Sequence, residues 1–219
     1  MVFFCKIALS QTSNSDSLQY SIDKKNRVGV NFSLGNSFTK LELNDISTKV
    51  YADSLNSITR SNSPYVLQAG GLYEMELSNN FIFRPMFLVC FETMNLTYNK
   101  KNGVETIEVM HFGFNVPLHI LCQTKGKNIK GYILGGPSFN LGLGADNKTK
   151  NKIDPKQFDI IADIGIGIKK TLKHISIMPE VKFSQGLLNI KGTNKNIYTD
   201  PIKGLYRQNL WFGIVFTAN

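Results

Sequence analysis

The carboxy-terminal two-thirds of the chain alternates apolar and polar residues with a period of two, the periodicity of β-strands whose faces meet different surroundings. The clearest stretch runs from Phe158 to Lys169. Phe158, Ile160, Ala162, Ile164, Ile166 and Ile168 form one face, and Asp159, Ile161, Asp163, Gly165, Gly167 and Lys169 the other. Ile175, Ile177, Pro179, Val181 and Phe183 repeat the pattern against Ser176, Met178, Glu180, Lys182 and Ser184. Leu210, Phe212, Ile214 and Phe216 form the last apolar face. Together the runs predict eight strands, at 27–37, 64–77, 81–97, 105–124, 129–144, 157–170, 175–189 and 207–217. Many exceed the roughly five or six residues usual in globular sheets. They suit the roughly 9–11 residues that a tilted membrane strand needs. After Phe91 the apolar set shifts to Met94, Leu96 and Tyr98, which predicts a bulge.

The connections alternate in length. Ser78–Asn80, Lys125–Asn128 and Thr171–His174 are short; 38–63, 145–156 and 190–206 are long; 98–104 is intermediate. Short turns at one end and long loops at the other describe an up-and-down transmembrane barrel. The predicted fold is therefore all-β: an eight-stranded antiparallel barrel integral to a bacterial outer membrane. Its turns and both termini would be periplasmic and its longer loops extracellular. No run approaches the roughly 18 apolar residues of a spanning helix.

Alternation defines two faces without saying which is inside. A soluble lipocalin-like carrier would turn the apolar set inward and show water a face rich in charge. The polar face of 129–144 is instead Tyr132, Leu134, Gly136, Ser138, Asn140 and Gly142, with no charge. Such residues suit the crowded interior of an eight-stranded barrel, which places the apolar set in lipid. Turn length then fixes register. A turn at Ser78–Asn80 sets Leu77 against Phe81 and Glu74 against Arg84; a turn at Thr171–His174 sets Lys170 against Ile175 and Asp163 against Lys182. Both opposite-charge pairs fall on the inner face, where an unpaired charge is costly. Arg27, Glu74, Arg84, Asp163, Glu180 and Lys182 are thus the candidate interior network, extended by Glu76, Glu92, Asp159 and Lys169, with no obvious pore.

Composition changes this picture little. The 219 residues include 25 Lys+Arg and 16 Asp+Glu, a net charge of +9. The lysines fall mainly in loops and turns, without interleaved aromatics, so the charge reads as solvated loops open to anionic lipid headgroups rather than as a nucleic-acid surface. Cys5, Cys90 and Cys122 lack metal-ligand spacing, and their odd number argues against a disulfide framework. Residues 1–11 read as the remnant of a secretory signal, 12–26 as a periplasmic segment and 27–219 as the barrel domain.

Candidate chemistry is sparse. Glu74 and Glu76 share a face about 7 Å apart, a spacing open to glycoside chemistry, but internal salt bridges are the better reading. His111 and His119 lie about 27 Å apart along one strand and cannot share a metal, so barrel packing is the better reading for each. Gly135-Gly136 and Gly165-Ile-Gly167 lack the strand-to-helix context of a phosphate loop. His174 with Ser176 at a turn does not make a triad. No catalytic residue, metal, cofactor or small-molecule substrate is indicated.

Four stretches resemble a known family. These are Val28-Gly-Val-Asn-Phe-Ser33; Phe114-Asn-Val-Pro-Leu-His119 with Lys127-Asn-Ile-Lys-Gly-Tyr-Ile-Leu-Gly-Gly136; Pro179-Glu-Val-Lys-Phe-Ser-Gln-Gly-Leu-Leu-Asn-Ile190; and Tyr198 with Ile202-Lys-Gly-Leu205. They resemble the PorT family of Bacteroidota outer-membrane barrels. Thr217-Ala-Asn219 departs from that family's terminal aromatic or acidic residue. The resemblance implies no catalysis and a part in type IX secretion and gliding motility, with other secretion-system proteins as partners beside outer-membrane lipid. The alternatives are a stand-alone structural or adhesin-type barrel, a rim-sited lipid enzyme and the lipocalin-like carrier.

Overall fold

The computed structural model describes residues 26–44, 55–61, 63–100, 103–126, 128–143, 153, 155–193, 196 and 198–219. The expected segments 1–11 and 12–26, Asn26 excepted, lie outside the described residues. The strands are β1 (Asn26–Leu43), β2 (Leu55–Ser61), β3 (Ser63–Glu76), β4 (Phe81–Lys100), β5 (Gly103–Gln123), β6 (Ile129–Gly142), β7 (Phe158–Thr171), β8 (Ile175–Gly186) and β9 (Ile202–Ala218). Both β2 and β3 pair with β4, so they are two parts of one wall strand. Each remaining strand pairs antiparallel with its neighbours in the chain, and β1 pairs with both β3 and β9. The eight wall strands close into a ring, which leaves no sheet edge for lipid to meet.

Val28, Val30, Phe32 and Leu34 of β1 are exposed, as are Phe87, Val89 and Phe91 of β4 and Ile164, Ile166 and Ile168 of β7. Their alternates, among them Asn31, Ser33, Asp159 and Asp163, are buried. The apolar set therefore faces outward and the polar set fills the lumen, the reverse of a lipocalin-like carrier.

The wall is uneven in height. β4 and β5 have 20 and 21 residues, whereas β6, β7 and β8 have 14, 14 and 12. Beyond the apolar band the tall side changes its code. Thr97 and Thr106 bond each other on the outside at 3.2 Å, and Lys40 pairs with Glu42 there at 3.1 Å. Inside, Met94, Leu96, Tyr98, Ile107 and Val109 are buried. Where lipid gives way to water outside, polarity swaps faces.

This inversion corrects the expected bulge in the strand 81–97. Glu92, Met94, Leu96 and Tyr98 all share the inner face, and β4 pairs with β5 without a break from Leu88 to Lys100. The irregularity lies opposite. Between Ser61↔Asn95 and Val66↔Glu92, the β2–β3 side advances five residues while β4 advances three.

The expected loops 38–63, 98–104 and 190–206 are also shorter than read, while the connection read as 145–156 is longer, from Gly142 to Phe158. β1 continues to Leu43, β2 occupies part of 38–63, and β9 begins at Ile202. β4 and β5 reach Lys100 and Gly103, where a φ of 140° suits glycine in the tight link. The β3–β4 register, with Met75↔Phe83 and Glu76↔Ile82, is the expected one. The β7–β8 register is not: Lys170 faces Ile177 and Asp163 faces Ser184, two residues from expectation. The turn closes through the Leu172 N–H to the Ile175 carbonyl at 2.8 Å. A two-residue slip keeps every side chain on its own face, so Lys182 stays inside.

Candidate functional site: a layered lumen beneath an apolar cap

Inward residues of all eight wall strands meet in layers along the barrel axis. Nearest the turns, fully buried Arg84 donates Nη2 and Nε to Oε1 of Glu74 at 2.7 and 3.1 Å. Its Nη1 donates to Oε2 of Glu180 at 3.0 Å, where the Tyr132 hydroxyl also donates at 3.0 Å. Lys169 Nζ donates to the other Glu74 oxygen at 3.0 Å. Arg27 lies 3.6 Å from that same oxygen and donates to Glu76 at 2.5 Å. Glu74 thus serves three cations and Glu180 one. Leu72, Ile82, Met86, Leu121, Leu134, Met178 and Val215 pack among these groups.

The next layer centres on Asp163. Its Oδ2 accepts from His119 Nε2 at 2.8 Å, from the Ser138 hydroxyl and from Lys182 Nζ at 3.5 Å; the Ser184 hydroxyl donates to Oδ1. Trp211 Nε1–H donates to Ser184 Oγ at 3.1 Å, and Lys182 lies 5.8 Å from the indole centroid. Above it, Arg207 Nε is 3.3 Å from Glu92 Oε2 and Nη1 donates to Asn140 Oδ1 at 2.7 Å. Asn140 Oδ1 also takes His111 Nε2–H at 3.0 Å, which leaves Nδ1 to face Arg207 Nη2 at 3.5 Å. Ser37 donates to Glu92 at 2.8 Å. Asp159, likewise buried, accepts the Leu188 N–H at 3.3 Å.

Charge ends there. Ile58, Met94, Leu96, Tyr98, Ile107, Val109, Ile202 and Leu205 form an apolar cluster across the loop end, joined by Ile153 and Ile190 from the connections. Tyr198 packs on it, edge to face with Tyr98 at 5.2 Å, and its carbonyl accepts the Tyr98 hydroxyl at 3.0 Å. Lys100 pairs with Glu105 beside this cap and donates to the Tyr198 hydroxyl at 3.2 Å. Its hydrogen bonds to Glu105 and Tyr198 hold the ammonium pKa above its ordinary value.

The structure places Arg27, Glu74, Arg84 and Glu180 in one layer and Asp163 with Lys182 in the next. Sequence reasoning missed Arg207, the cation of the upper layer, and set aside His111 and His119 as packing. A signal existed: Arg207 shares parity with Asn209 and Trp211, all buried. The apolar cap was missed because its residues break the rule that holds in lipid. Gly167 is needed by the first layer, since a Cβ there would meet the Tyr132 ring at 2.3 Å. At the turn, the Ser176 hydroxyl lies 2.7 Å from Asn219 Oδ1 and 3.4 Å from Thr171. Among the described residues no group of three His, Cys, Asp or Glu is placed to hold a metal.

A closed antiparallel barrel with an apolar outer band and a charged, self-paired interior is an integral outer-membrane β-barrel. A family model described as outer membrane protein beta-barrel domain matches residues 9–192, and the chain belongs to that family. No curated protein matches it. Among solved structures it is similar to the outer membrane protein OprG from Pseudomonas aeruginosa. That match has 10% identity and a TM-score of 0.52, covering 88% of this chain and 94% of OprG. It is also similar to Neisserial surface protein A, at 9% identity and TM-score 0.47 over 86% and 95% of the two chains. The outer membrane protein AlkL in lipid bilayers matches at 14% and 0.45 over 95% and 96%. At these identities the OprG likeness speaks to the fold alone.

Proposed function

We propose that this barrel neither conducts nor catalyses, and that it acts through contacts of its loop end and wall with partner proteins. The observation that carries this reading is the lumen. Its charged side chains, Asp159 apart, are bound to one another, and an apolar cluster covers the layer beneath the loops. Groups so committed are poor candidates for lining a water-filled path or for activating a substrate. Function then moves to the surfaces that remain, with the turns facing the periplasm and the tall side rising outside the cell.

The resemblance to PorT names the partners as components of a type IX secretion machinery that also supports gliding. Deleting the gene and cataloguing secreted proteins tests this. Loss of export, restored by the wild-type barrel, is the expected result. Intact export and gliding would remove the secretion role and leave the stand-alone barrel.

A further inference from the structure

The uneven wall creates a second feature, away from the lumen. β6 ends at Gly142, β7 begins at Phe158 and β8 ends at Gly186, while β4, β5 and β9 continue past the apolar band. Segments 155–157 and 187–193 lie in the resulting step and line an open cleft of about 700 Å³. Distant bonds fix its walls. The Lys156 N–H donates to the Ile190 carbonyl at 2.8 Å, and the Gly142 N–H to the Gln157 carbonyl at 2.7 Å. Asn189 accepts the Leu205 N–H at 3.1 Å and donates to the Lys203 carbonyl at 3.1 Å.

The cleft has two chemistries. Its lower wall carries Leu141, Phe158 and Leu188, exposed by 49%, 46% and 37%, which continue the lipid-facing surface of β6 and β7 upward. Its upper wall carries exposed Lys156, Gln157 and Thr193. Lys156 is the charged side chain among the described lining residues. The nearby carboxylate of Asp159 is buried and holds the Leu188 amide.

We propose that this cleft seats a membrane lipid with a phosphate-bearing headgroup, its acyl chain on Leu141, Phe158 and Leu188 and its phosphate at Lys156. Two observations select this occupant over a soluble one. The apolar wall is continuous with the lipid-facing band, and the charge at the top is positive, as is the whole chain at +9. The inference goes beyond the secretion reading and does not depend on it.

The test uses the full chain in mild detergent, given diphosphoryl lipid A or its dephosphorylated counterpart, with bound lipid counted by native mass spectrometry. The phosphorylated lipid should be retained preferentially. Lys156→Gln should weaken that retention about fivefold, the factor for one surface cation, and leave the dephosphorylated lipid unchanged. Leu188→Asp should weaken both, while Lys125→Gln, exposed at the turn end, should change neither. Heat-dependent gel mobility confirms that each variant is folded. Equal retention of the two lipids by the wild type, or no effect of Lys156→Gln, would overturn the proposal by leaving only unselective annular lipid. Displacement of lipid A by excess inorganic phosphate would overturn it in favour of a simple anion site.

Discussion

Replacing Arg84 with Met removes a guanidinium that two buried carboxylates share, while keeping an unbranched apolar stem. The two carboxylates are not left equal. Glu74 retains Lys169 at 3.0 Å and Arg27 at 3.6 Å. Glu180 retains only the Tyr132 hydroxyl, with no other cation within ion-pair distance among the described residues. Stranding a buried charge costs about 3–5 kcal/mol, and here the loss falls mainly on Glu180. A second change, Glu180→Gln, removes the bare charge and still accepts from Tyr132, so it should restore about 2 kcal/mol. Glu74→Gln in the same background should restore less, because it strands Lys169 in turn. Urea unfolding in detergent, read by fluorescence, measures the wild type, these three variants and the single changes Glu180→Gln and Glu74→Gln, which complete the two cycles. The sole tryptophan, Trp211, is buried in the adjacent layer and reports the interior directly. Equal restoration by the two second changes, or strictly additive losses, would refute this assignment of the charges.

Phe212→Arg, on the lipid face of β9, should cost about 2–4 kcal/mol, whereas Thr97→Arg, on the water-facing side of the tall wall, should change urea stability little. Gly167→Ala drives a Cβ into the Tyr132 ring and should cost about 1–3 kcal/mol. Gly71→Ala, with no atom within 4 Å of its Cβ position, should be neutral in the same titration. Leu96→Ala in the apolar cap should lose about 2–5 kcal/mol without changing membrane insertion, as judged by fractionation.

Strand identity and sidedness were legible because lipid and a packed lumen impose one simple code over most of the chain. Residues such as Ile164, Ile166 and Ile168 admit one reading there. The height of the wall was not legible, because the same strand obeys the opposite code once it leaves the membrane. Phe87, Val89 and Phe91 point outward in β4 while Met94, Leu96 and Tyr98 point inward, so a change of surroundings looked like a change of phase. Arg207 was missed for a related reason: the expected last strand began at that residue, five short of the start at Ile202. The β7–β8 register escaped because Thr171 and Ile175 each serve equally well as a strand end or a turn residue. Neither choice alters which face Asp163 and Lys182 occupy, and they meet diagonally at 3.5 Å.

The closed lumen is tested most directly by recording single-channel current from the purified wild-type barrel in planar bilayers. Paired charges beneath an apolar cap require a silent baseline at either polarity. Regular conductance steps from the wild-type protein, absent when the protein is omitted, would contradict a closed lumen and return the function to permeation.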